Sequence, residues 1–204
     1  MDVCFGYLKN ADGSAKFTYG NTSTIACVSG PDQVSQQKEI IDRATILVQY
    51  KSKSGNSNCS DRAMEHFITM VCDRMIFTSM HPRTSILINI LELHDDGCIC
   101  ACAVNATMLA LIDAGISMRH MVAAATSCLD ENGCIHINPC KELLEHSEGK
   151  MTLVIESETY QILSLSSTGN FTSEKLNESI LLLTSKCSEL LQSFRASVSK
   201  LFHQ

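Results

Sequence analysis

The chain has 204 residues, of which 45% are apolar, a share that excludes wholesale disorder and is sufficient for one sizeable core. Its formal net charge of −6, from 22 acidic and 16 basic residues, excludes the strong basic excess of a protein that binds nucleic acid by itself. Charged residues interrupt every apolar run before it reaches the length of a membrane span, and residues 1–4 lack the basic start of a secretory signal. We therefore expect a soluble intracellular protein whose contact with nucleic acid is local or shared with more basic partners.

The eleven cysteines are interpreted as reduced, small apolar residues. Their odd number and the lack of a C-x-x-C motif argue against a disulfide framework and a zinc ribbon. Cys98, Cys100 and Cys102 alternate, but this spacing fits none of the usual zinc sites. His94 and His136 lie near cysteines without completing a ligand set or a nucleophile–base pair. A thiol or metal enzyme is therefore only a minor alternative, and no metal or cofactor is expected.

The first fifty residues predict a β-meander and a fourth strand. The predicted strands cover residues 3–9, 14–19, 22–29 and 44–50, with turns at 10–13 and 20–21. Gly30-Pro31 is predicted to end the third strand, and the polar residues 32–43 to form a surface loop.

A mobile loop is predicted at residues 51–59, which carry Lys51 and Lys53 and no apolar residue before Cys59. Ser60 is the predicted N-cap of a helix over residues 61–78, because apolar residues recur there at helical spacing. His81-Pro82 ends this region, since proline disfavours the α conformation in the residue before it. Residues 84–92 are predicted to follow as a strand.

The stretch 91–125 is predicted to be the centre of the fold. An apolar strand breaks at the turn His94-Asp95-Asp96-Gly97 and leads into a helix over residues 101–114. Small residues three or four positions apart give this helix one flat face for close packing, and Gly115 suits its C-terminal cap. Residues 121–128 then predict a strand of small apolar residues.

The C-terminal third predicts two hairpins and a long helix. Asp130-Glu131-Asn132-Gly133 indicates a tight turn before a short strand at 134–137, and the acidic segment 138–150 predicts a helical turn. Residues 151–156 and 160–166 form the second predicted hairpin. Residues 172–201 predict one amphipathic helix that packs on the chain's own sheet, with a partner-binding helix or coiled coil as the alternative.

Six motifs in register give a resemblance to the ribonuclease PH family. They are Asp12-Gly13-Ser14-Ala15, residues 21–28 with Gly30-Pro31, His81-Pro82-Arg83-Thr84-Ser85, Asn105-Ala106, Leu111-Ile112-Asp113-Ala114-Gly115-Ile116 with Met118, and Ser166-Ser167-Thr168-Gly169. Their order is that of the family over nearly the whole chain. The resemblance implies an α+β, ribonuclease PH-like fold with two β-α-β modules, mixed sheets and a long C-terminal helix, as a single domain over residues 1–204.

The resemblance also implies that the catalytic positions are changed. Active members cleave RNA from its 3′ end with phosphate, which requires cationic groups to hold the phosphate and a carboxyl group to manage the proton. Their Gly-Thr-Arg turn matches Gly97-Cys98-Ile99, whose isoleucine side chain cannot bind an anion. Their acidic pair matches Asn138, which is not an acid, and in ungapped register Leu144. A further family arginine belongs on the helix over 61–78, where only Arg62 and Arg74 occur.

The implied function is that of a non-catalytic structural and RNA-binding ring subunit of the eukaryotic RNA exosome. Such a subunit supports 3′→5′ RNA processing and degradation, including rRNA processing. The predicted RNA-binding residues are Lys51, Lys53 and Arg62, because active-type relatives carry basic residues at this point. The alternative is an active phosphorolytic 3′→5′ exoribonuclease that uses displaced residues, namely Glu142, Glu145 and Arg83.

The implied partners are other ribonuclease PH-like exosome subunits, paired head to tail in a ring, and single-stranded RNA, with no membrane. In isolation the chain is expected to form a two-fold homodimer. The implied localisation is the nucleus and nucleolus, and also the cytoplasm. A second alternative is an accessory role in DNA degradation during apoptosis, with a nuclease partner.

Overall fold

The computed structural model describes residues 1–55, 58–131 and 133–202. The strands are β1 Asp2–Phe5, β2 Gly13–Tyr19, β3 Thr22–Gln33, β4 Thr45–Lys51, β5 Thr84–His94, β6 Val122–Asp130, β7 Ile135–Ile137, β8 Ser147–Glu156 and β9 Ile162–Gly169. The helices are α1 Cys59–Met75, α2 Ile99–Asp113, α3 Lys141–Glu145 and α4 Ser173–Phe202, and a 3₁₀ turn covers Thr78–Met80. None of the helices in these ranges is both long enough and apolar enough to cross a membrane.

The first sheet has the order β1-β2-β3-β5-β4. Its first three strands form the predicted antiparallel meander, and β3 also pairs antiparallel with β5. β4 and β5 run parallel, because α1 connects them as a crossover. This β4-α1-β5 unit makes the first sheet mixed.

The second sheet has the order β7-β6-β8-β9, and its three described strand pairs are antiparallel. The hairpin predicted from the turn after β6 is present, and Gly133 N–H donates to Asp130 O at 2.8 Å. Asn132 of that turn lies outside the described residues. Two sheets, their helices and the long α4 together confirm the predicted α+β fold class.

Helix α2 lies between the sheets, packing on β2 and β3 of the first and beside β6 of the second. The sequence predicted one flat packing face, whereas the helix is buried around nearly its whole circumference. Its buried residues are Ile99 and then every residue from Ala101 to Leu111. The predicted cap is confirmed, since Gly115 follows the helix with a φ of +68°.

The other two long helices also contact both sheets. α1 packs against β4 and β9, whereas α4 packs across β6 and β8. The ring of Phe194 in α4 meets that of Phe17 in β2 edge-on, with centroids 5.7 Å apart. Leu183, Cys187 and Phe194 are fully buried within the chain, so the predicted packing of α4 is confirmed and the coiled-coil alternative is wrong for this stripe.

The predicted bounds of α1 were wrong at both ends. The N-cap is Asn58 rather than Ser60, and its N–H donates to Asp61 Oδ2 at 3.1 Å. The helix ends at Met75 instead of residue 78, because Ile76 becomes extended and forms a β-bridge with Met118. Residues 56 and 57 of the predicted loop lie outside the described residues.

Three strands differ most from their predicted bounds at one end. Gly30-Pro31 does not end β3, because the strand resumes after a bulge and pairs Asp32 with Ser85. β1 ends at Phe5, before Gly6, whose φ is +63°. β8 begins at Ser147, inside the acidic segment predicted to hold only a helical turn, because residues from 147 onward pair with β6.

The buried thiols predict a loss of stability at alkaline pH. Burial raises the pKa of Cys72, Cys98 and Cys187 to about 12 each, so the folded state favours the protonated thiol. The stability that the protonated thiols contribute to the folded state is fully present below the ordinary thiol pKa near 9, and it is lost as pH rises from 9 towards 12. We expect the urea midpoint to fall progressively above pH 9, and Cys187→Ala to flatten that fall.

Alkylation provides the matching control. At pH 8, iodoacetamide is expected to label the exposed Cys4, Cys59 and Cys134 of the folded protein and to spare Cys187. Labelling of Cys187 at the same rate as Cys134 would contradict the burial of Cys187 in the folded protein.

Candidate functional site

Two of the family-like motifs meet at one backbone junction. Ser14 N–H donates to Asp113 Oδ2 at 2.9 Å, which fastens β2 to the end of α2. A Cβ on Gly13 would lie 2.3 Å from Ala114 N and 2.5 Å from Ala110 O, so only glycine fits there. The residue types of these motifs are therefore required by packing.

The Asn105-Ala106 motif is structural as well. Asn105 is 2% exposed, and its Nδ2 donates to Ala124 O at 2.9 Å. In return, Ala124 N–H donates to Asn105 Oδ1 at 2.8 Å. β7 is too short to reach Ala124, so the Asn105 amide takes the place of a neighbouring strand.

The turn Gly97-Cys98-Ile99, between β5 and α2, is the one that the sequence resemblance matches to the phosphate-binding turn of active relatives. Gly97 has a φ of +117°, and a Cβ there would lie 2.7 Å from Leu144 Cδ1 and 2.8 Å from Pro139 O. Cys98 Sγ donates to the same Pro139 oxygen at 3.4 Å. The segment around α3 therefore packs directly on this turn.

Ile99, which the resemblance matches to the arginine of active relatives, is part of the hydrophobic core. Ile99 is 7% exposed and packs within the central cluster of buried residues. A cation at this position would have to leave the core or be buried without a partner, which is costly.

Lys150 in β8 is a cation at this turn that the sequence did not reveal. Its Nζ donates to Gly97 O at 2.8 Å, which directs the ammonium group towards the backbone. Burial raises the pKa of the Cys98 and Cys100 thiols, and the Lys150 charge opposes that rise. Lys150 reaches the turn only because β8 pairs with β6, and no local sequence signal indicates this pairing.

Asn138 and Leu144, the residues that the resemblance matches to the family's acidic pair, carry no carboxylate. Asn138 follows β7 with a φ of +53°, and its N–H donates to Thr126 O at 2.8 Å. Leu144 approaches Gly97 as described above. The neighbouring Glu142 and Glu145 are exposed on α3.

Arg83 is not brought to this turn. It lies just before β5, and its Nε is 3.6 Å from Glu39 Oε1. The 11 residues of β5 separate it from the Gly97 end of the strand, a distance of roughly 30 Å. The set proposed for an active enzyme, Glu142, Glu145 and Arg83, is therefore divided between the two ends of β5.

The two candidate arginines of α1 have different surroundings. The Arg74 guanidinium donates to Leu163 O and so joins α1 to β9. Arg62 is exposed on the first turns of the helix. Neither lies on the segment that packs against Gly97.

The predicted RNA-binding residues lie on two neighbouring surfaces. Lys51 ends β4 and lines a depression of about 380 Å³ with Asp61 and Glu65, and Lys53 is exposed in the loop that follows. Arg62 lines a separate groove of about 410 Å³ that also includes Glu65. The structure thus places Lys51 and Arg62 in different depressions, both of which Glu65 lines.

Carboxylates surround the end of β4. Glu65 Oε1 accepts a hydrogen bond from Tyr50 N–H, and Glu92 Oε2 accepts one from the Tyr50 hydroxyl, both at 2.8 Å. Burial, and then the hydrogen bond to Glu92, raise the pKa of Tyr50. In ranges 1–55, 58–131 and 133–202, no group of three or more His, Cys, Asp or Glu side chains is arranged to hold a metal ion.

Comparison with known proteins places this geometry in context. The 3′ exoribonuclease family, domain 1, matches residues 1–117. The Exosome complex exonuclease RRP46 homolog of Arabidopsis thaliana is 34% identical over 160 residues, which cover 76% of this chain and 65% of that protein, just under two thirds of its length. Exosome complex component RRP46 of Saccharomyces cerevisiae is 27% identical over 203 residues, or 93% of this chain and 91% of that one.

A solved structure supports the same relationship at the level of the fold. The crystal structure of rice (Oryza sativa) Rrp46 superposes with a TM-score of 0.86 at 22% identity, over 95% of this chain and 92% of that chain. The fold implied by the sequence motifs is therefore confirmed.

Proposed function

Because this chain belongs to the 3′ exoribonuclease family of ribonuclease PH-like proteins, we propose that it is a non-catalytic ring subunit of an RNA exosome. In this role it contacts single-stranded RNA and supports 3′→5′ RNA processing and degradation, including that of rRNA. The Arabidopsis relative is named as an exosome complex exonuclease and the yeast relative as an exosome complex component, and both names support the assignment to an exosome. The same relationship supports a location in the nucleus, the nucleolus and the cytoplasm.

One observation carries the non-catalytic part of the proposal. None of the three residues of the turn Gly97-Cys98-Ile99 is cationic, Ile99 lies in the core, and the turn is packed against Pro139 and Leu144. The cation that reaches the turn, Lys150, donates to the main-chain oxygen of Gly97. Phosphorolysis requires cationic donors at the phosphate and a carboxyl group near the leaving oxygen. Asn138 supplies no carboxyl group, and Glu142 and Glu145 are exposed on α3.

We expect the purified protein to release no nucleoside diphosphates from single-stranded RNA in the presence of inorganic phosphate. Chromatography of the products measures this directly, with an active phosphorolytic family member as the control for the assay. Ile99→Arg is expected to remain inactive, because the acid is still missing and residue 99 belongs to the core. Diphosphate release that Glu142→Gln or Glu145→Gln abolishes would instead show the active exoribonuclease.

The RNA contact is assigned to the loop after β4, and its exposed lysines support this. Lys51→Ala/Lys53→Ala is expected to reduce crosslinking of RNA to this subunit in an assembled ring several-fold. It should also lower the salt dependence of binding by roughly one unit of slope for each phosphate that the loop no longer neutralises. The matched control is Lys9→Ala/Lys200→Ala, which removes two exposed lysines elsewhere. Equal crosslinking of both double variants would show that the loop does not contact the RNA.

The outer face of the first sheet supports ring assembly. Ile25 and Leu91 form the centre of a row that runs from Lys16 in β2 to Lys51 in β4, as the strand register requires. This face carries an open groove of about 490 Å³, and Leu91 is 44% exposed there. We assign contact with a neighbouring ring subunit to this face, and a two-fold homodimer to the same face when that neighbour is absent.

The shared helices support one further proposal. Because α1, α2 and α4 each contact both sheets, we propose that residues 1–204 fold as a single domain. The accessory role in apoptotic DNA degradation, with a nuclease partner, stays a prediction of the family resemblance.

A further inference from the structure

Within the described ranges, the main-chain groups on the outer edge of β4 are capped only near the two ends of the strand. Ala44 N–H, just before β4, donates to Thr78 O at 2.8 Å, and Tyr50 N–H donates to Glu65 Oε1 at 2.8 Å. β4 is the last strand in its sheet, so these groups point away from β5. Alternate residues of a strand point their N–H and C=O groups to the same side, so Ile46 and Val48 also point outward.

The two central residues of this edge are open. In the part of the chain that the structure describes, no hydrogen bond is found for an outward N–H or C=O of Ile46 or Val48. A groove of about 410 Å³ runs along this stretch of β4, and the N-terminal half of α1 forms its other wall. An unpaired strand edge beside a groove is a template for another extended chain.

The groove also has a net positive charge, because two cationic side chains and one carboxylate line it. Lys38 and Arg62 line it, and neither side chain makes an ion pair with any residue in the described ranges. The carboxylate that lines it, Glu65, already accepts the Tyr50 N–H. The chain as a whole has a net charge of −6, but this groove is locally positive and attracts negatively charged groups.

We propose that this groove binds an extended, acidic peptide segment of a partner protein, which pairs with β4 as an additional strand of the first sheet. The peptide main chain pairs with Ile46 and Val48, and its carboxylates face Lys38 and Arg62. RNA has no main-chain ladder to match the strand edge, so a peptide fits the groove better. This surface is the edge of the sheet and is distinct from the outer face assigned to the ring neighbour. In this proposal Arg62 contacts the peptide, whereas Lys51 and Lys53 contact the RNA.

The probe is a fluorescein-labelled, capped peptide with three Glu-Val repeats, and its binding to the full chain is measured by fluorescence anisotropy. Lys38→Glu/Arg62→Glu is expected to weaken binding at least tenfold. The matched charge reversal Arg195→Glu, at an exposed position of α4, should leave it within twofold. A Lys-Val peptide of the same length should bind the wild-type protein at least tenfold more weakly.

Main-chain pairing is tested by N-methylation of the probe. Strand addition uses every second amide, so a peptide methylated on its Glu amides and one methylated on its Val amides should differ at least tenfold in affinity. Val48→Pro removes one outward N–H of the protein and leaves the inner ladder with β5, so it should weaken binding, whereas Val48→Thr should not. Circular dichroism verifies that both variants fold, and the methylated peptides decide the matter if Val48→Pro does not.

Two results would overturn the proposal. One is equal binding of both methylated peptides and the unmodified probe, which excludes strand addition. The other is displacement of the probe by single-stranded oligoadenylate RNA whose own binding is lost in Lys38→Glu/Arg62→Glu. That outcome would assign the groove to nucleic acid.

Discussion

Replacement of Gly13 with alanine is expected to lower the free energy of unfolding by about 3 kcal/mol or more. The new Cβ would lie 2.3 Å from Ala114 N, 2.5 Å from Ala110 O and 2.6 Å from Ala114 Cα. These are backbone atoms of the buried central helix and its cap, so no side chain can rotate away. β2 and α2 would have to separate, which also breaks the 2.9 Å hydrogen bond from Ser14 N–H to Asp113 Oδ2.

Urea unfolding at 25 °C, followed by far-ultraviolet circular dichroism, measures this effect. The matched control is Gly20→Ala, since Gly20 has a φ of +58° and nothing within 4 Å of an added Cβ. This control should cost only about 1 kcal/mol, from the unfavourable φ alone. Equal losses for the two variants would show that the close approach of β2 and α2 is not what stabilises this junction.

Phe194→Ala is expected to cost about 3–5 kcal/mol. Phe194 and Phe17 are both fully buried, and their edge-to-face contact joins α4 to the first sheet. The truncation leaves a ring-sized cavity and removes an aromatic pair worth about 0.5–1.5 kcal/mol beyond its buried area. Because α4 otherwise packs on the second sheet, the loss should appear in one cooperative transition of the whole chain.

Two further variants serve as controls for the effect of Phe194→Ala on stability. Phe194→Leu keeps most of the apolar volume and should cost well under half as much as the alanine variant. Arg195→Ala changes an exposed neighbour and should stay within about 0.5 kcal/mol of the wild type. Two separate transitions in Phe194→Ala, one for each sheet, would contradict the single-domain proposal.

The sequence predicted the elements whose signals are local. The long apolar stripe through Leu183, Cys187 and Phe194 indicated a packed C-terminal helix, and Gly115 indicated the end of α2. The errors arose where tertiary pairing determines the structure. The β-bridge between Ile76 and Met118 ends α1 early, and the pairing of Asp32 with Ser85 carries β3 past Gly30-Pro31.

The candidate site also combines features that the sequence indicates locally with features that depend on tertiary packing. The change proposed at Ile99 and Asn138 was inferred from the sequence resemblance, because an isoleucine cannot bind an anion and an asparagine is not an acid. The contact of Leu144 with the Gly97 turn and the hydrogen bond from Lys150 depend on how β8 and α3 pack, which residue spacing does not specify. The open edge of β4 likewise depends on strand order, which the sequence does not reveal.

The assembly claim is tested most directly by affinity purification of the tagged chain from cells, with identification and quantification of the chains recovered with it. Ring assembly predicts that other ribonuclease PH-like exosome subunits are recovered in near-equal amounts. It predicts their loss with Leu91→Asp, which charges the outer face of the first sheet, and their retention with the matched control Leu91→Met. Recovery of the wild-type chain alone, or equal recovery of subunits with Leu91→Asp, would contradict the ring contact proposed for that face.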